Sequence, residues 1–189
     1  MKKFLTLTLA LVIILFCSSC GSSGGKAESF FNTFSGGTYY MKAKMIGDYN
    51  TETTIETYVK DGMIATTAES DSQISRTIIR DGKMYMIIDS EKMYMVSDAS
   101  GNVASEYVQT EGMKASGLGT DEFGGKSLSY EEYSDDDGNI SQYFIDGNKL
   151  AGIRNIIGGI TMDIVILELN KNVPNSVFDI PSDYQEMGV

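Results

Sequence analysis

Four Asp-Gly dipeptides, Asp61-Gly62, Asp81-Gly82, Asp137-Gly138 and Asp146-Gly147, punctuate this 189-residue chain, and each lies between runs of strand-like sequence. Asp-Gly readily adopts the positive backbone angles that tight hairpin turns require, and strands joined in this way pair antiparallel. The runs themselves alternate. Tyr39, Met41, Ala43 and Met45 interleave with Lys42 and Lys44, and Ile55, Thr57 and Val59 interleave with Glu56, Tyr58 and Lys60. A period of two marks strands with one buried face. Strands are expected over 38–48, 52–60, 63–69, 73–80, 83–89, 92–97, 126–134, 140–146, 149–156 and 160–169. The fold class this predicts is mainly β (α+β), with a single curved antiparallel sheet.

Helical signals are sparse. Lys26 to Phe34 is expected to form a short helix with Phe30, Phe31 and Phe34 on one side, and Asn102 is placed to cap a second segment in which Val103 and Tyr107 lie one turn apart. The rest of the stretch from Asp98 to Gly125 lacks strand alternation, is rich in Gly and is too long for a plain hairpin loop. It is expected to cover the sheet or one of its openings. A local repeat, Lys83-Met84-Tyr85-Met86 and Lys92-Met93-Tyr94-Met95, predicts a hairpin with Met84, Met86, Ile88, Met93 and Met95 on one face. Tyr85, Ile87, Tyr94 and Val96 then occupy the other. Methionine is an adaptable filler of core and of surfaces that accept varied apolar shapes. Ordinary core packing and a lipid-accommodating cavity are both consistent with that pattern. Cu(I) binding by Met-x-Met is disfavoured because such sites also recruit His or Cys.

The N-terminus is an export signal. Lys2 and Lys3 precede an apolar run from Phe4 to Phe16 and the small residues Ser18 and Ser19. The run is shorter than the roughly 20 residues that span a bilayer. Cys17-Ser18-Ser19-Cys20-Gly21 resembles the bacterial lipobox, although Cys17 stands where Leu is usual. The resemblance implies that residues 1–19 are cleaved and that Cys20 carries the lipid, which places the protein on the extracytoplasmic face of the cell membrane. An unlipidated signal and a C-x-x-C redox motif are the rival readings; the redox motif needs a strand-to-helix setting that the end of an apolar signal does not supply. Gly21-Ser22-Ser23-Gly24-Gly25 follows as a flexible tether, so residues 20–25 form anchor and linker and 26–189 form one β domain.

Composition narrows the chemistry. The formal net charge is −11, and loss of Lys2 and Lys3 makes the mature chain more acidic still, so nucleic acid and anionic headgroups are not expected partners. There is no histidine, and Cys20 is the only cysteine beyond the signal, which removes His-based triads and His/Cys zinc sites. No catalytic residue, metal site or cofactor is assigned, and an enzyme is not expected. Asp135-Asp136-Asp137-Gly138-Asn139 fails as an EF-hand loop, since alignment on Gly138 puts Tyr133 and Phe144 at the end positions. It reads as a solvated turn.

The C-terminal part carries a further resemblance. An apolar strand from Ile160 to Leu169 is followed by Val177-Phe178-Asp179-Ile180-Pro181-Ser182-Asp183-Tyr184, and Tyr143 to Leu150 forms a hairpin before it. This order, with the alternating strands from Gly37 to Val96, resembles LolA/LolB-like lipoproteins and their F-x-I-P-x-x-Y tail. The resemblance implies an open half-barrel with helices or loops over its concave face and a lipid or other apolar ligand held between them. Candidate lining residues are Tyr39, Met41, Met45, Ile55, Met84, Met86, Met93 and Met95. The alternative is a surface interaction or sensor module on the same fold, meeting an envelope protein partner with no small-molecule ligand. Cys20→Ala tests the anchor: the variant should appear in the soluble fraction, and retention in membranes would contradict lipidation at Cys20.

Overall fold

The computed structural model describes residues 25–27, 29–30, 37–47, 52–70, 73–99 and 114–187. Its strands are β1 (Tyr39–Ile46), β2 (Glu52–Lys60), β3 (Met63–Ser70), β4 (Gln73–Arg80), β5 (Lys83–Ile88), β6 (Met93–Asp98), β7 (Lys114–Phe123), β8 (Lys126–Ser134), β9 (Ile140–Asp146), β10 (Lys149–Ile157), β11 (Ile160–Asn170) and β12 (Gln185–Glu186). They form one open, curled sheet of 12 strands in the order β12-β6-β5-β4-β3-β2-β1-β11-β10-β9-β8-β7. Two meanders, β1 to β6 and β7 to β11, are joined where β1 pairs with β11. All neighbours are antiparallel except β12, which runs parallel to β6.

The turn chemistry explains the register. Asp61 and Gly62 have φ of 51° and 77°, and Asp81 and Gly82 have 53° and 70°, the paired positive angles that continue a right-handed strand twist. Each turn adds two residues between strands, so the alternation of one strand is handed on unchanged to the next. At Asp135–Asn139 the turn is instead held by the Asp135 carboxylate, which accepts from the backbone of Asp137 (3.0 Å) and from the backbone and side chain of Asn139 (2.9 and 2.8 Å). The Asn139 amide, ahead of those backbone donors, holds the Asp135 carboxyl below the usual carboxylate range.

Two elements differ from expectation. Residues 114–123 are a strand at the sheet edge, not part of a cover. Most of β7 is exposed on both sides, so it offers no apolar alternation to read; backbone pairing with β8 holds it, and a side chain at Gly119 would collide with the Tyr130 ring. The tail adds the two-residue β12, where the amides of Gln185 and Met187 donate to the Lys92 and Tyr94 carbonyls at 2.9 and 2.8 Å and cover the β6 edge. Ser29 and Phe30 are helical. The expected signal peptide, Cys20, most of the expected tether, Phe31, Phe34 and the Asn102–Tyr107 segment lie outside the described residues.

Cross-strand partners share a face, so the register sorts the strand side chains into two sets. The face bearing Tyr40 carries the charge: Lys42 pairs with Glu56 (2.7 Å), Lys44 with Glu52 (3.0 Å), and Arg154 with Asp163 (2.7 Å) and Asp121 (2.8 Å). Arg154 also lies over the Phe144 ring at 5.2 Å, and Phe144 stacks on Phe123 with centroids 4.2 Å apart. Over β3 to β6 this same face is covered by the tail, which makes a 3-10 turn at Asn175–Phe178. Val173 and Phe178 are buried with Ala65, Ile78 and Ile87, and Ile180 and Tyr184 pack around them. Arg80 donates to the Phe178 carbonyl at 2.8 Å, and the Tyr184 hydroxyl donates to Asp89 at 2.6 Å. Phe178→Ala should therefore lower unfolding stability by about 3–5 kcal/mol and raise hydrogen exchange across residues 173–187, as read by denaturant titration and mass spectrometry.

Candidate functional site

The opposite face, bearing Tyr39, has a different composition. Successive pairings carry it across the first meander in rows. Met41, Thr57, Thr66, Thr77, Met86 and Met95 form one row, and Tyr39, Val59, Ile64, Ile79, Met84 and Ser97 form another. Ile55 faces Ala43 and Ala68, Thr53 faces Met45, and Met93 faces Ile88. From β1 to β6 no strand residue with a charged side chain falls on this face. The second meander continues it through Ile164, Ile153, Tyr143, Glu131 and Leu118.

All eight candidate lining residues therefore stand on one face, but in different surroundings. Tyr39, Met41 and Ile55 are buried, the first two in a core cluster with Ala43, Val59, Tyr143, Ile153 and Ile164. Met45 is half-buried against that cluster. Met84, Met93 and Met95 are half-buried, and Met86 is 45% exposed. Burial pushes the Tyr39 phenol up to about 12 and raises the Tyr143 phenol as well, so both remain neutral through the physiological range. The methionine hairpin thus presents soft apolar surface, β3 is half-buried on this face, and β1 and β2 are largely buried on it.

At the far side of this face, β8 and β9 receive Lys26, Ala27 and Phe30. The Glu131 carboxylate accepts from the backbone N–H of Lys26 (2.8 Å) and Ala27 (3.0 Å) and from the Tyr133 hydroxyl (3.3 Å). Ala27 is fully buried, and Phe30 packs on the same core cluster. Lys26 Nζ reaches the Gly147 carbonyl at 3.3 Å. Beneath this segment, Lys26, Ser29, Phe30, Ile145 and Asn148 line a cavity of about 160 Å³. That is less than the roughly 300–1,000 Å³ of small-molecule sites.

Several residues of this surface escaped the sequence reading. Leu118 is 82% exposed on β7, and Ile157 and Ile160 are 52% and 63% exposed beside the Gly158-Gly159 turn. By register all three share the face with Met86. The signal available was the pair of isoleucines around Gly-Gly, which departs from the charged flanks of the Asp-Gly turns. Glu131 had no signal, because its role depends on the fold bringing residue 26 to it. Among the described residues there is no cluster of acidic or cysteine side chains suited to a metal.

The architecture is thus an open curled sheet with one charged, tail-covered face and one largely uncharged face. No protein-family model and no curated protein matches the sequence. Among solved structures the fold is similar to an uncharacterized conserved protein from Thermus thermophilus, with a TM-score of 0.55 and 8% identity over 86% of this chain and 99% of that one. It is also similar to LprF from Mycobacterium bovis, with a TM-score of 0.42 and 12% identity over 87% of this chain and 100% of that one. The LolA superfamily protein NE2245 from Nitrosomonas europaea gives 0.43 and 9% over 82% and 98%. At such identities the Thermus comparison speaks to fold alone.

Glu131→Ala removes the acceptor for two backbone donors, so it should cost about 1–3 kcal/mol and raise hydrogen exchange at Ala27 and Phe30. Unchanged protection there would show that apolar packing alone seats the segment.

Proposed function

We propose that this chain is a lipid-anchored, extracytoplasmic module that binds or passes on a lipid or other apolar molecule on the Tyr39 face, and that it is not an enzyme. The observation that carries the reading is the segregation of charge: from β1 to β6 the Tyr39 face has none, while the Tyr40 face carries ion pairs. A protein that needs this surface only for core would cover it, yet Met86, Leu118, Ile157 and Ile160 remain exposed on it. Burial of apolar area at about 25 cal/mol per Å² supplies the driving force. Cys20 and the Gly/Ser tether would keep the face close to a membrane that holds such ligands.

A second reading, a module that meets an envelope protein, is favoured by β7. It is the outermost strand, exposed along most of its length, and its free edge suits pairing with a partner strand. One experiment separates the two. Met86→Asp places a charge on the open face without entering the core, so it should weaken binding of a fluorescent acyl-chain probe at least about tenfold. Probe binding that is absent in the parent chain, or indifferent to the substitution, would move the assignment to protein interaction.

A further inference from the structure

The proposed ligand site has a property that narrows its ligand class. Every lysine and arginine beyond Lys3 falls within the described residues, and the chain has no histidine, so the undescribed segments after the signal contribute no cation. The register puts each strand-borne cation on the Tyr40 face: Lys42 opposite Glu56, Arg76 opposite Ile87, Arg154 opposite Asp163, and the others likewise. Three cations lie off the strands. Lys92 is paired with Asp183 at 2.8 Å, Lys171 is exposed beyond the end of β11, and Lys26 donates to the Gly147 carbonyl. On the Tyr39 face the strand charges are both acidic, Glu122 and Glu131, and Glu131 is already occupied by the Lys26 and Ala27 amides. A phosphate laid on the β1–β6 part of this face would find no cation there, Lys26 standing at the far β8–β9 end with its ammonium on the Gly147 carbonyl.

The polar groups that the face does offer are hydroxyls. Thr57, Thr66 and Thr77 stand side by side across β2, β3 and β4, with Met41 at one end of the row and Met86 at the other. Thr66 and Thr77 are half-buried, and Thr57 is 6% exposed. The Thr57 hydroxyl is buried with no hydrogen-bond partner among the described residues. A buried, unpaired hydroxyl is costly, and a carbonyl oxygen delivered along the row would satisfy it.

We infer that the ligand is an uncharged ester lipid of the acylglycerol kind, with an ester carbonyl accepting from the threonine row and its chains on the methionine surface, and that glycerophospholipids are discriminated against. This rests on the ligand-binding reading above. The test uses the mature chain carrying Cys20→Ala, which removes its own acyl groups. The chain is equilibrated with dioleoylglycerol and dioleoylphosphatidylglycerol, which share their acyl chains, and each complex is quantified by native mass spectrometry. Retention of the diacylglycerol at least about tenfold over the phosphatidylglycerol is expected. Thr57→Val, which keeps the shape and removes the hydroxyl, should weaken diacylglycerol about 2- to 10-fold and leave squalene, a hydrocarbon control, unchanged. Equal or tighter retention of the phosphatidylglycerol would overturn the ligand class, and so would a Thr57→Val chain that holds diacylglycerol as well as the parent. Retention of none of the three lipids would overturn the ligand-binding reading itself.

Discussion

Period-two placement of charge is the constraint on which the structure depends. In β1 and β2, Lys42, Lys44, Glu52 and Glu56 fall on one set of alternate positions, and Tyr39, Met41, Met45 and Ile55 on the other. Two-residue turns at Asp61-Gly62 and Asp81-Gly82 then transmit the same parity to the following strands. A slip of one residue at either turn would send a row of charges into the Tyr39 face. Ion pairs on the Tyr40 face add little individually, because they are partly exposed. Their larger effect is to fix which way the sheet faces.

The two ends of the chain finish the faces in opposite ways. The tail crosses the Tyr40 face over β3 to β6, where Phe178 is buried among Ala65, Ile78 and Ile87, and it pairs with the β6 edge through β12. Lys26, Ala27 and Phe30 sit on the Tyr39 face at β8 and β9, held by Glu131 and by the packing of Ala27 and Phe30. Between these two devices the methionine hairpin keeps one side under the tail and leaves the other open at Met86. An exposed surface of that composition has a cost in water that a ligand would relieve.

Much of the sheet was legible because its signals are local. Asp-Gly turns and alternation located β1 to β6 and β8 to β11 to within about two residues. The parity of Met84, Met86, Met93 and Met95 followed from the same rule, and β5 and β6 place all four on one face with Met86 opposite Met95. β7 was not legible, since an edge strand solvated on both faces needs no apolar period and Gly119 leaves room for Tyr130 from its neighbour. Nor were the burial of Tyr39, Met41 and Ile55 in core and the Glu131 contacts, which depend on how far the sheet curls and on chain segments about 100 residues apart, as in the separation of 105 between Lys26 and Glu131. Sequence parity assigns a face; it does not say which part of that face stays open.

The most direct test of the account is native mass spectrometry of the mature Cys20→Ala chain purified from its own host, followed by extraction and identification of whatever it carries. A stoichiometric apolar adduct that is lost when Met86 becomes Asp is the predicted result. A chain that emerges empty and takes up no acyl-chain probe would contradict it, and the uncharged face would then be a surface for a protein.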